Sequence, residues 1–159
     1  MAARLTSLGN VKRGVEVYRL AAKLLLDECP GQAAARAYYQ VHSVAQHVAL
    51  LIGPPLESVR DGARLGKLLH SDVVVVVEHV YKNRLKRGET IPLNTDFNAA
   101  LNQADSLYKA RMEADYRPHL PFSKERASKL LVQAHALTLM LTAEAEFIER
   151  NQKQGTFTI

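Results

Sequence analysis

Apolar positions recur along most of the chain at the three- and four-residue steps of a helix, and polar breaks divide them into five runs. In residues 15–28, VEVYRLAAKLLLDE, one face carries Tyr18, Ala21, Ala22 and Leu25, and CPG ends the run. From Gln32 to Ile52 a longer stripe holds Ala37, Val41, Val44, Ala45, Val48, Leu51 and Ile52 before GPP stops it. Residues 73–77, VVVVV, are β-branched and in isolation read as a buried strand. Their flanks decide otherwise. Leu65, Leu69, Val73, Val76 and Val80 continue one helical face, and Gly88 follows a basic last turn, so the pattern predicts a helix over 63–87.

ETIPLN reads as a loop, after which Thr95 is the expected cap of a helix running to about Tyr116, with Phe97, Leu101, Ala104, Tyr108 and Met112 on its face. Pro118 and Pro121 lack the amide hydrogens a helix requires, so RPHLP is a corner. Ser123 is the next expected cap, with Glu125 in the positive first turn and Phe122 placed to staple against Ala127. The final helix reaches about Arg150 and buries Ala127, Leu130, Leu131, Ala134, Leu137, Leu141, Ala145 and Ile148, leaving NQKQGTFTI as a loose tail. The fold class is therefore all-α: an antiparallel up-and-down bundle of about five helices. It forms one domain over 1–159, with its core at about 15–150.

Composition narrows the function classes. At 159 residues the chain suits a single core, and no apolar run approaches the roughly 20 residues of a membrane span. The single Cys29 excludes an internal disulfide, and MAARLTSLGNVKRG has no apolar segment of secretory type, so a reducing cytoplasm is expected. A formal charge of +5 and a pI near 9.4 favour an anionic partner such as RNA.

Three polar groupings are candidates for chemistry. In RAYYQVHS, Arg36, Tyr39 and Ser43 cluster on one helix flank with His42 about a third of a turn away, an arrangement suited either to phosphate binding or to interhelical hydrogen bonding. In RMEADY, Arg111 and Asp115 stand one turn apart. The planar fork of an arginine there matches two phosphate oxygens and would steady extra negative charge on a phosphorane; the structural alternative is a salt bridge that ties the helix end to the corner. In KNRLKRG, Lys82, Arg84, Lys86 and Arg87 form either a phosphate-facing patch or a solvated last turn. His47, His70, His79 and His135 are scattered, with no HExxH and no cysteine partner, so no metal site is expected. Glycine-rich phosphate loops and GxSxG are also absent from the sequence.

Taken in order, ARAYYQVHSVAQHVALLIG, LLH before a long helix, and YKARMEADYRPHLPFSKERASKLLVQA resemble the HEPN superfamily, in particular its small stand-alone prokaryotic branch with RAYYA-type and R..ADY segments. The likeness covers roughly residues 15–148. It implies an all-α homodimer and, for many relatives, a cofactor-free, metal-independent endoribonuclease or toxin paired with a nucleotidyltransferase-like antitoxin. In such relatives an arginine steadies the phosphate while a histidine a few residues later moves the proton of the ribose 2′-hydroxyl. On this chain the resemblance matches Arg111 to the family arginine, so the expected catalytic group is Arg111, Asp115, Tyr116 and His119; the polar groupings above and the overall charge make Arg36, Tyr39, His42, His70, Lys82, Arg84, Lys86 and Arg87 the expected RNA contacts. Tyr116 stands where the family histidine would be, a departure that also suits a non-catalytic module regulating a nucleotidyltransferase or nuclease.

Overall fold

The computed structural model describes residues 7–52, 59, 61, 63, 68–92 and 95–155. Among them are five helices and no strand: α1 (Leu8–Leu25), α2 (Pro30–Leu51), α3 (His70–Lys86), α4 (Phe97–Tyr116) and α5 (Lys124–Gly155). No helix of the described residues is long and apolar enough to cross a membrane.

The helix ends follow from local chemistry. Ser7 caps α1 by accepting from the Asn10 amide, which moves the start of this helix ahead of residue 15. Pro30 opens α2, where its missing amide hydrogen costs nothing. Leu65 and the GPP turn lie outside the described residues. Leu69 does not continue a helical face: it is extended and exposed, and α3 begins at His70, with the Asp72 carboxylate accepting from the Leu69 amide at 3.2 Å. Asp96, not Thr95, caps α4 through the Ala99 amide at 2.7 Å. The Thr95 hydroxyl donates instead to the Pro92 carbonyl. Ser123 caps α5 as expected, but the helix continues past Arg150 to Gly155, so NQKQG is helical; residues 156–159 lie outside the described set.

The valine run is helical because burial outweighs propensity. Val73, Val76, Val77 and Val80 are fully buried, and each such burial is worth roughly 1.5 kcal/mol or more against a helix-propensity cost of about half a kcal/mol per residue. At its far end, Gly88 adopts φ +70° while the Glu89 amide reaches the Arg84 carbonyl and the Gly88 amide reaches that of Leu85. These two bonds close the last turn of α3.

α2 is the central helix and packs on all four others. Its buried alanines, Ala33, Ala34, Ala35, Ala37, Ala45 and Ala49, leave room for close approach, while Val41, Val44 and Val48 fill the core beside Leu107 and Leu141. On α4 the most buried stripe is Ala100, Ala104, Leu107, Ala110 and Ala114. The larger Phe97, Leu101 and Tyr108 pack at its margin. Phe122 leans over Gly31 of α2, where a Cβ would meet its own at 3.4 Å, and its ring lies under the Arg126 guanidinium.

Candidate functional site between α2 and α4

Arg111 sits on the last full turn of α4, which the following Pro118 corner prevents from extending. Its Nε lies 2.9 Å from Asp115 Oδ2 and donates to the Tyr39 hydroxyl at 3.2 Å. Tyr39 itself donates to Asp115 Oδ2 at 3.4 Å, closing a three-membered contact between α2 and α4. The Arg111 and Asp115 side chains are 24% and 28% exposed, so the group lies at the surface and not in the core.

Aromatic rings fix the guanidinium. Arg111 Cζ is 5.8 Å from the Tyr39 ring centre and 5.7 Å from that of Tyr116, while Arg36 approaches the same Tyr39 ring at 6.0 Å. Tyr39 is held in turn by the Tyr18 ring of α1. The Tyr39 hydroxyl, with help from Asp115 and Tyr116, pushes the Arg111 pKa above its ordinary value despite desolvation. Nη1 points to the Met112 sulfur at 3.2 Å, and Nη2 has no hydrogen-bond partner among the described residues. An oriented cation with a spare donor is what a phosphate or carboxylate requires.

A line of rings runs from this group toward the start of α3. Tyr38 is buried among Tyr39, His42, His70 and Tyr108, and burial, then the neighbouring Tyr108, raises its pKa to about 12, so it stays a neutral phenol. His70 stacks on Tyr108 with ring centres 4.0 Å apart and planes within 5°. Its Nε2 is 3.5 Å from Asp105 Oδ1, and its pKa is lowered, foremost by burial and also by His42 and Lys109, against the raising pull of Asp105. The Asp105 carboxyl is itself held low, first by Lys109. His42 Nε2 lies 2.9 Å from the Leu68 carbonyl and so carries the proton there.

The structure thus brings Arg36, Tyr39, Arg111, Asp115 and Tyr116 together and places His42 and His70 one tyrosine layer further along. His119 is exposed on the corner and makes no hydrogen bond, ion pair or ring contact among the described residues. The basic end of α3 is elsewhere, since sixteen helical steps put Lys86 roughly 24 Å from His70. There Arg84 is buried and engages Glu89 and the Thr90 carbonyl. Arg87 is clasped by Glu89 and buried Glu144 over the Phe147 ring, and Glu144 foremost raises its pKa. Neither offers a free guanidinium. Lys82 pairs with Glu78, and Lys86 alone of the four is exposed with no partner among the described residues.

Sequence reading missed Tyr38, Tyr108 and Asp105 as members of the seam. For Asp105 and Tyr108 the signal is the 105–108–111–115 spacing, which lines one flank of α4, but Tyr108 also fits the apolar face; Tyr38 on α2 carries no such local signal. A cavity of about 320 Å³ opens on the opposite side of the same helix end, lined by Cys29, Gly31, Gln32, Glu113, Arg117 and Phe122 among others, and not by Arg111. No group of three or more His, Cys, Asp or Glu side chains able to hold a metal occurs among the described residues. No family model, curated protein or solved structure matches the chain.

Proposed function

We propose that the protein is a HEPN-type, RNA-acting homodimer: a metal-independent endoribonuclease or toxin in which Arg111 binds the scissile phosphate. The observation that carries this reading is the partly exposed Arg111 guanidinium, fixed through Nε by Asp115 and Tyr39 while Nη2 has no hydrogen-bond partner among the described residues. The order of the RAYYQVHS and RMEADY segments supports it, as does the +5 charge. Two opposed helix pairs are consistent with it: Val11 and Leu50 line one groove between α1 and α2, and His70 meets Tyr108 while Tyr81 meets Phe97 between α3 and α4. An exposed free Cys29 fits the reducing cytoplasm in which a nucleotidyltransferase-like antitoxin would be the partner.

In this chemistry the ribose 2′-hydroxyl gives its proton to a base as its oxygen attacks phosphorus, the bond to the 5′-oxygen breaks as that oxygen takes up a proton, and a 2′,3′-cyclic phosphate and a free 5′-hydroxyl remain. Arg111 steadies the phosphorane oxygens, Asp115 and Tyr39 hold it in place, and Tyr116 stacks on it. The 2′-hydroxyl proton needs an acceptor, and an imidazole suits that task better than the Tyr116 phenol.

A second reading, a non-catalytic module that regulates a nucleotidyltransferase or nuclease, is favoured by one observation: no histidine contacts Arg111, and Tyr116 stands at the family's histidine position. One experiment separates the two. Purified protein is incubated with end-labelled RNA in EDTA, beside Arg111→Ala. The nuclease cuts, leaves a cyclic phosphate and loses about 100-fold or more of its rate in the variant. Absence of cutting by folded wild type overturns the catalytic reading, and equal cutting by Arg111→Ala overturns the assignment of the arginine.

A further inference from the structure

The core uses one side of α1, through Leu8, Val11, Val15, Tyr18 and Ala22, yet the opposite side is not polar. Val17, Leu20 and Leu24 are 65%, 48% and 82% exposed. With Arg13 before them and Asp27 after, they follow steps of four, three, four and three residues, the heptad spacing of a helix that pairs with another helix. At 100° per residue all five project from one strip of the surface. Salt bridges from Lys12 to Glu146 and from Lys124 to Asp27 hold α1 alongside α5, whose own exposed apolar residues are Val132 and Leu139.

The charge order along the strip selects the occupant. It is basic at Arg13, apolar through Val17, Leu20 and Leu24, and acidic at Asp27 and Glu28. A two-fold interface sets a patch against itself. Run antiparallel on a second copy, this strip matches apolar centre to apolar centre and brings each Arg13 toward the partner's acidic end. A parallel pairing would set like charges together. We propose that the exposed strip of α1 is the homodimer interface, two α1 helices packing antiparallel about the neighbourhood of Leu20. This deepens the homodimer part of the functional proposal and rests on that part, but not on RNA binding.

The test is solution mass by sedimentation over a range of concentrations, using the full chain. Wild type is expected to reach twice its 17.7 kDa. Leu20→Glu and Leu24→Glu, both at exposed sites that leave helix content intact, are each expected to weaken the dimer by about tenfold or more, because a charge would be buried in the seam. Arg13→Glu alone and the double variant Asp27→Lys/Glu28→Lys alone should each weaken self-association, and a one-to-one mixture should restore it as a heterodimer. A dimer unmoved by Leu20→Glu and Leu24→Glu overturns the surface while leaving the dimer. Charge variants that do not complement one another overturn the antiparallel order. A wild-type chain that stays monomeric at all concentrations overturns the interface altogether, and RNA cleavage by that monomer would leave the Arg111 reading standing.

Discussion

Replacing Tyr39 with phenylalanine isolates the contact on which the candidate site turns. The ring would still lie between Tyr18 and the guanidinium groups of Arg36 and Arg111, at 5.7, 6.0 and 5.8 Å, so packing is retained. What disappears is the hydroxyl that accepts from Arg111 at 3.2 Å and donates to Asp115 at 3.4 Å. A hydrogen bond to a charged group contributes about 1.5–3 kcal/mol when buried, but at this surface position, with the second bond long, about 1 kcal/mol is the appropriate size. For a domain of this length that lowers Tm by about 2–4 °C. Tyr39→Ala removes the ring as well and should cost about 2 kcal/mol, below the 3–5 kcal/mol of a fully buried aromatic because Tyr39 is only half-buried. Function should rank the two differently from stability: loss of the hydroxyl alone lets the guanidinium swing about the Asp115 contact. An orientation penalty near 1.4 kcal/mol would lower RNA affinity or cleavage about tenfold in Tyr39→Phe. Thermal melts and filter-binding or cleavage assays on both variants measure this. Wild-type RNA activity in Tyr39→Phe would refute the idea that the hydroxyl aims Arg111, and a melt as low as that of Tyr39→Ala would show that the hydroxyl chiefly holds the fold.

Two further perturbations test the architecture. Gly88→Ala places a side chain at φ +70° and should cost about 1 kcal/mol, read as a lower urea midpoint with unchanged slope; no loss would mean that the turn after α3 rearranges freely. The His70 pKa is depressed below its usual 6.5, chiefly by burial, so the unfolded chain takes up this proton first as pH falls. The stabilising contribution is complete above about pH 6.5 and is lost as pH drops through that value toward the lower folded pKa. His70→Phe should therefore flatten the fall in stability as pH drops below about 6.5, leaving a residue from His79, which burial depresses in the same direction. An unchanged pH slope would count against burial of a neutral His70. The Glu89 and Glu113 carboxyls, lowered by Arg87 and Arg126 respectively, act later, below about pH 4.5.

The existence of the helices was legible because each carries a periodic apolar stripe, and the five valines are helical because burial outweighs β-branched propensity, with Val80 and Gly88 on one flank as expected and Leu69 on the other left outside the helix. Their ends were less legible. Thr95 and Asp96 are both acceptable caps, and the choice fell to Asp96 because Thr95 is engaged by Pro92 and Tyr81 from outside the helix. The same limit applied to the site. The Arg111–Asp115 pairing is a one-turn relation that spacing alone gives, whereas Tyr39 and Tyr38 reach α4 only through the packing of α2, which no local pattern encodes. In KNRLKRG the sequence offers four equivalent positive charges, and tertiary partners divide them: Glu89 and Glu144 engage Arg84 and Arg87, while Lys86 is left to solvent. A count of basic residues therefore overstates the surface available to RNA at that end, and the candidate anion site is the guanidinium with a donor unpaired among the described residues.

The two faces of α1 carry the same lesson into the assembly. Tyr18 looks inward to the ring that bears on Arg111, while Leu20 and Leu24 look outward from the same two turns. A helix pressed from outside by a second copy would lose freedom to shift, and Tyr39 rests against that helix through Tyr18. The most direct path from association to the Arg111 site is the Tyr18–Tyr39 ring contact at 5.7 Å, within the wider packing of α1 on α2. Tyr18→Ala would cut that contact without touching the outer strip, so it separates the two possibilities: a dimer that persists while RNA activity falls makes Tyr18 the link, and activity that follows only the dimer's dissociation in Leu20→Glu shows that the second copy acts on the site by another route.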